Sequence, residues 1–277
     1  MAVTTLAISP CPNDTFVFHA LVHGLVPGAP PVDVTYADVD VTNTAAGRGG
    51  YDLVKVSYAA LPWLLEHYRL LPCGGALGRG CGPLVLTAGQ TDPERAVAGR
   101  TVAIPGDRTT AYLLFRLWSA RFPPERTVVM PFEQIMPAVR RGDVAAGLVI
   151  HEARFTYHSY HLHAVADLGD WWEGETGLPI PLGAILARRG MPAGDDPAAW
   201  IRESVRHAWA DPDASREYVR SHAQEMESDV ISRHIALYVN EFTAELGEDG
   251  YAAVDALFAR AGAAGLIPPV SPDTVRS

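Results

Sequence analysis

One pattern constrains this chain more than any other. A short apolar run stops at a polar turn and re-enters as a helix, and this happens repeatedly before residue 151. Thr4 to Ser9 reads as a buried strand ended by Pro10. Pro12-Asn13-Asp14-Thr15 supplies a turn and a helix N-cap, and Phe16 to Val26 continues as an apolar helix. Val32 to Val41 alternates and is rich in β-branched residues, so it is expected as a strand. Asn43 to Arg48 follows as a short helix stopped by Gly49 and Gly50. Leu53 to Val56 is a third strand, and Ala59 to Tyr68 another helix. Strands alternating with helices imply a parallel sheet with helical crossovers.

A glycine-dense stretch, Cys73 to Gly82, separates this series from a second one. Pro83 to Ala88 reads as a strand, and Asp92-Pro93 starts a short helix with Asp as cap and Pro at the first position. Thr101 to Ile104, Thr127 to Met130 and Ala145 to Ile150 are strands. Thr109 to Arg121 and Phe132 to Arg141 are helices, the latter closed by Gly142. The two series match in outline and predict two similar α/β lobes. After Ile185 the chain is mostly helical, with Asp196-Pro197 capping a helix to Trp209 and further helices near 213–226, 229–245 and 249–263. Such a tail is expected to wrap back onto the first lobe. The expected division is therefore discontinuous: 1–88 with 190–277 as one lobe, and 89–189 as the other.

Composition excludes several classes. The chain has 277 residues, which at about 150 per domain suits two lobes. Its hydrophobic fraction of 48% supports a full core. A formal net charge of -10, with Lys55 as the only lysine and no basic run, disfavours nucleic acid and anionic membranes as partners. No apolar stretch reaches membrane-span length, and Met1 to Phe16 lacks the basic start of a secretory signal. Cys11, Cys73 and Cys81 form neither a disulfide framework nor a CxxC metal spacing. A soluble, cytoplasmic protein that handles a small molecule is expected.

Ligands in parallel α/β sheets bind beyond the carboxyl ends of the strands. Three strand ends run into helix N-termini through polar residues: Pro12-Asn13-Asp14-Thr15, Lys55-Val56-Ser57-Tyr58 and Asp107-Arg108-Thr109-Thr110. Free amides at helix N-termini suit a carboxylate, and the hydroxyls of Ser57, Thr109 and Thr110 can bond oxygen-rich groups. The same residues also read as ordinary caps and turns; their distribution over both lobes favours a cleft for an anionic, oxygen-rich ligand. Lys55 adds a point charge if its side chain turns towards the strand end. Asn13 and Asn43 join the candidates because both lie at cleft-facing turns. His151, at the end of Leu148-Val149-Ile150, is either a general base at the cleft mouth or a core histidine satisfied by a carbonyl.

Other features carry less. His151-Glu152 lacks the second histidine of HExxH, and the spacing of His158, His161 and His163 fits no standard metal site, so a surface strand or loop is expected there and no metal. Cys11 precedes a helix N-terminus, as a stabilised thiolate or simply a small buried residue. Gly78-Arg79-Gly80-Cys81-Gly82 lacks the context of a phosphate loop and reads as a crossing or tight turn near a hinge. Trp171-Trp172 is expected in a loop, as a lid or as packing between lobes.

Taken together, several segments have a specific likeness. Ser9-Pro10-Cys11-Pro12-Asn13-Asp14-Thr15-Phe16, Asp52-Leu53-Val54-Lys55-Val56-Ser57-Tyr58, Ala76 to Leu84, Gly147 to Tyr157 and Leu178 to Gly183 resemble the 1,4-dihydroxy-6-naphthoate synthase family of the futalosine route to menaquinone. The resemblance covers most of residues 4 to about 190. It implies a two-lobed fold like a type II periplasmic binding protein, used as an enzyme without a cofactor. The implied substrate is cyclic dehypoxanthinyl futalosine, and the implied products are 1,4-dihydroxy-6-naphthoate and dihydroxyacetone. It also implies His151 as proton acceptor and Lys55-Val56-Ser57 and Thr109-Thr110 as substrate-binding segments. The rival readings are a non-catalytic receptor for a small organic anion, the sibling chorismate dehydratase, and an effector domain of a transcription regulator.

Overall fold

The computed structural model describes residues 3–192, 194–223 and 227–276. It opens with β1 (Thr4–Ile8), α1 (Pro12–Val22), β2 (Val32–Tyr36), α2 (Val39–Ala46) and β3 (Leu53–Ser57). β1 lies between β2 and β3, parallel to both, as the alternating pattern requires. α1 starts at Pro12, four residues before its expected start; proline has no amide to leave unpaired at a first helical position. β2 stops at Tyr36, and the β-branched residues Val39, Val41 and Thr42 enter α2 instead. Packing of Thr42, Asn43 and Ala46 outweighs their strand preference. The helix expected over 59–68 is only a 3₁₀ turn, Tyr58–Trp63. Pro62 withholds an amide there, and the chain then forms β4 (Tyr68–Leu70) and β5 (Ala76–Gly78).

The middle of the chain contributes β6 (Leu84–Thr87), α3 (Pro93–Val97), β7 (Thr101–Ile104), α4 (Thr110–Trp118), β8 (Arg126–Val129), α5 (Phe132–Arg141), β9 (Ala146–Val149), α6 (Ala153–Thr156), β10 (His163–Asp167) and α7 (Leu168–Thr176). Asp92 caps α3, its Oδ1 accepting the Arg95 amide at 2.9 Å. Gly142 closes α5 in the left-handed region at φ 78°. β11 (Ile180–Arg188) then precedes the helical tail α8 (Pro197–Ala210), α9 (Arg216–His222), α10 (Ser228–Tyr238), α11 (Glu241–Ala244), α12 (Gly247–Ala263) and α13 (Pro272–Arg276). The helix expected near 213–226 is α9, and residues 224–226 of that span lie outside the described residues. α8, α9 and α10 pack on α1, so the tail does return to the first sheet.

The strands form two sheets, ordered β2-β1-β3-β11-β4, with β5 beside β11, and β10-β6-β9-β7-β8. Neither sheet is purely parallel. β11 runs antiparallel to β3, β4 and β5, and β6 runs antiparallel to β9 and β10. β6 therefore belongs with the second sheet and β11 with the first, opposite to the placement implied by breaks at 88/89 and 189/190. The chain passes between sheets just ahead of each of these strands, through 79–83 and 168–179. At the crossing a Cβ on Gly82 would lie 2.1 Å from the Gly169 amide nitrogen, so backbone meets backbone there. Arg154 braces the spot, donating to the Gly82 carbonyl at 2.8 Å and pairing with Asp167 at 2.5 Å. Trp172 is not in a loop. It lies on α7, fully buried, with its indole N–H on the Pro179 carbonyl at 3.0 Å. His158, His161 and His163 are exposed around a turn and the start of β10.

Candidate active site

The strand ends converge as the topology predicts. Ser9 beyond β1, Lys55 and Ser57 on β3, Thr109 to Ala111 after β7, and Ile150-His151 beyond β9 border one cavity between the sheets. Leu182 and Gly183 of β11 and His234 and Tyr238 of α10 complete it. The atom-free space, open mouth included, is about 680 Å³. Val56 does not reach it. Strand side chains alternate, so Lys55 and Ser57 face the cavity while Val56 turns into the core, fully buried. Asn43 is also outside the lining and acts through Ser57.

Lys55 is engaged inside the protein. Its ammonium pairs with Asp14, which is 1% exposed and also receives the Ser9 amide at 3.2 Å, the Ser9 hydroxyl at 2.7 Å and the Asn13 amide group at 2.8 Å. A buried pair of this kind needs its extra hydrogen bonds to offset desolvation. Gly183 makes room for it, since a Cβ there would lie 2.8 Å from Lys55 Cε.

Asn43 clamps Ser57 with both ends of its amide: Oδ1 accepts the Ser57 N–H at 2.8 Å, and Nδ2 donates to Ser57 Oγ at 3.2 Å. The Ser57 hydroxyl thus accepts from the protein and keeps its own proton for a ligand. Thr109 caps α4, accepting the Tyr112 amide at 3.2 Å and donating to the Gly106 carbonyl at 2.9 Å. Thr110 bridges the lobes. Its hydroxyl donates to Leu182 O at 2.8 Å and accepts the Ala59 amide at 3.2 Å. Both threonine hydroxyls are thus spoken for. What the segment offers a ligand is the start of α4, where the amides of Thr110 and Ala111 are the first-turn donors and both residues line the cavity.

His151 sits where the strand ends sharply, with φ 54°, in the left-handed region that residues other than glycine seldom occupy. Its ring packs edge-on against Phe132, centroids 5.4 Å apart, and Nδ1 lies 3.4 Å from Cys11 Sγ. Desolvation lowers its pKa from 6.5 to about 4. The Asp14 charge opposes this shift and the Lys55 charge adds to it. At neutral pH the imidazole is uncharged and able to accept a proton. The Cys11 thiol moves the other way: burial, with Glu152 adding to it, pushes it well above its usual range. A stabilised thiolate is therefore ruled out for this position. Cys11, His151 and Glu152 are the one group among the described residues with metal-ligand atoms clustered within 4.8 Å, but a metal there would have to displace a firmly held thiol proton.

Sequence reasoning passed over His234 and Tyr238. Both come from the tail, far from every motif, and the one available signal was a histidine on the buried face of α10 with Val230, Ile231 and Tyr238.

Two lobes, each a mixed sheet flanked by helices, with polar strand ends meeting in the gap, define a protein of the periplasmic-binding-protein fold. A solved Candida albicans protein described as having the generic periplasmic binding protein fold shares it at a TM-score of 0.75 with 11% identity, over 100% of this chain and 94% of that one. Nearer in sequence is protein AF1704 from Archaeoglobus fulgidus, at TM-score 0.88 and 33% identity, covering 96% of this chain and 98% of its own. A family model described as menaquinone biosynthesis matches residues 4–263. The chain belongs to that menaquinone biosynthesis family. It is 62% identical to a 1,4-dihydroxy-6-naphthoate synthase of Streptomyces coelicolor, over 98% of this chain and 96% of the relative. It is 48% identical to the Thermus thermophilus protein of the same name, over 97% of each.

Proposed function

We propose that this chain is a carbon–carbon lyase of menaquinone biosynthesis. It converts cyclic dehypoxanthinyl futalosine to 1,4-dihydroxy-6-naphthoate and dihydroxyacetone, with His151 as proton acceptor. The observation that carries this reading is an uncharged histidine on the wall of an interlobe cavity whose polar groups suit an aromatic carboxylate bearing hydroxyls. The carboxylate goes to the amides that open α4 and to the Ser57 hydroxyl, which offer donors without a free side-chain cation. The fused ring lies against Val39, Ala76, Ile150, Leu182 and Tyr238. His151 Nδ1 is taken up by its contact with Cys11 Sγ, which leaves Nε2 as the nitrogen that takes the substrate proton. Elimination and carbon–carbon cleavage then follow with gain of aromaticity, and the reaction consists of proton transfers with no redox change. A positioned base of this kind contributes about 10²–10⁴-fold.

Each sheet with its helices acts as one lobe in this reading, and the crossings at 79–83 and 168–179 let the lobes close and exclude water. Among the described residues no helix is long and apolar enough to cross a membrane, and a small anionic metabolite as partner and a cytoplasmic site of action belong to the same proposal. The test is incubation of the purified protein with cyclic dehypoxanthinyl futalosine, following the naphthoate chromophore, beside His151→Ala and His151→Asn. Turnover is expected from the wild type, with a loss of about 10² or more in folded variants. Tight binding without turnover would make the protein a receptor, and near-normal turnover in the variants would remove His151 from the mechanism.

A further inference from the structure

A chain of hydrogen bonds fixes the tautomer of a second cavity histidine. Asp14 is surrounded by donors, namely Lys55 Nζ, the Ser9 amide and the Ser9 hydroxyl, so its oxygens act only as acceptors. Asn13 must then present Nδ2 to Asp14 Oδ1, 2.8 Å away, because the flipped amide would set its oxygen against a carboxylate. This turns Asn13 Oδ1 towards His234 Nε2 at 3.0 Å, and that nitrogen must carry a proton. His234 is 1% exposed; burial, with smaller contributions from His151 and Lys55, holds its pKa well below 6.5. The ring is therefore neutral, and its other nitrogen, Nδ1, holds a lone pair. Among the described residues no group donates to Nδ1, and the ring borders the cavity. Leaving a buried acceptor without a donor is costly, and a ligand that supplies the donor removes the cost.

We propose that His234 Nδ1 accepts a hydrogen bond from a substrate hydroxyl, which makes His234 a specificity-determining residue for hydroxylated ligands. This rests on the reading of the cavity given above. The Lys55–Asp14 pair is then more than internal charge neutralisation: through Asn13 it sets which edge of a distant imidazole can receive a proton donor.

The test compares wild type with His234→Gln and His234→Asn. Glutamine keeps a donor within reach of Asn13 and loses the acceptor at the δ position, whereas asparagine keeps an oxygen near that position. The readouts are kcat and KM for cyclic dehypoxanthinyl futalosine, and the inhibition constant of 2-naphthoate, which has the ring and carboxylate but no hydroxyl. His234→Gln should lower kcat/KM about tenfold or more, and His234→Asn should recover most of it. The 2-naphthoate constant should stay within about twofold of wild type, because it makes no bond to Nδ1. Unchanged kinetics in both variants, or loss of 2-naphthoate affinity in step with substrate, would overturn the proposal. A second measurement needs no variant. Nitrogen-15 spectra of the wild type should show Nδ1 of His234 unprotonated, shifting with added 1,4-dihydroxy-6-naphthoate and not with 2-naphthoate. A protonated Nδ1, or one that ignores the hydroxylated ligand, refutes the assignment. A wild type that fails to turn over the substrate would sink the lyase reading alone, since the spectra judge the tautomer independently.

Discussion

The acid limb of catalysis should lie far below the ordinary titration of histidine. Desolvation takes the His151 pKa from 6.5 to about 4 in the free protein. At pH 5 a pKa of about 4 leaves about 90% of the ring neutral, whereas an unshifted ring would be only about 3% neutral, a difference of roughly 30-fold in competent base. The plot of log kcat/KM, which reports the free enzyme, should therefore stay flat from pH 8 down to about 5 and bend near 4. The same shift acts on stability. Between pH 6.5 and 4 the unfolded chain binds the proton and the folded one does not, so stability falls as pH falls through that window. At about 1.4 kcal/mol per pKa unit, His151 alone accounts for about 3 kcal/mol of the loss. His234 is shifted in the same direction and adds to it. The assay is kcat/KM from pH 4 to 8, paired with a proton NMR titration of the His151 ring, which separates its ionisation from that of the substrate carboxylate. A bend between pH 6 and 7, matched by the ring resonance, would show that the imidazole is well solvated and that the desolvation argument fails.

Three further outcomes follow from the geometry. Lys55→Met leaves Asp14 buried without its cation and should cost about 3 kcal/mol or more in urea unfolding, most of it recovered when Asp14→Asn is added; a single-variant cost below about 1 kcal/mol would show that the pair is not truly desolvated. Thr110→Val strands the Ala59 amide and the Leu182 carbonyl, so a stability loss of about 1–3 kcal/mol should accompany a raised KM, and unaltered values of both would mean the two lobes are not tied there. Gly82→Ala forces a methyl against the Gly169 backbone, which cannot rotate away as a side chain can, and should cost more than the roughly 1–3 kcal/mol of ordinary overpacking, read from the urea midpoint; a near-neutral midpoint would mean that the crossing is loosely packed.

What could be read in advance from this sequence divides along physical lines. β7 and α5 fall on the residues expected, because a β-branched run between turn residues and an apolar helical period closed by glycine are local signals. The directions of β6 and β11 were not legible, since a fully buried strand has the same apolar composition whichever way it runs. Trp172 misled for a related reason. Its Gly- and Glu-rich surroundings suggest a loop and mask the one local sign of a helix start, Asp167, which caps it by accepting the Gly169 amide at 2.8 Å. Among the candidate residues that line the cavity, those at strand ends were accessible because topology alone places them together. Val56 was carried in with its motif neighbours although strand alternation turns it into the core. His234 lies 221 positions from Asn13 along the chain. No spacing rule connects residues that meet only because the tail folds back over α1.

The electrostatics of the site point the same way. On the function proposed above, a chain with a formal net charge of -10 draws an anion into its cleft, yet its only lysine pairs with an internal aspartate. A free ammonium in the cavity would bind any carboxylate strongly, product included, and would pull a proton-accepting imidazole still further down. Pairing Lys55 with Asp14 limits both effects, because the Asp14 charge offsets that of Lys55 at His151. In that proposal, attraction for the carboxylate falls to the amides that open α4 and to the Ser57 hydroxyl, groups that are directional and carry no proton to lose at neutral pH. The arrangement separates two tasks that compete when one cation performs both: holding an anionic ligand, and keeping a neighbouring base neutral enough to accept a proton.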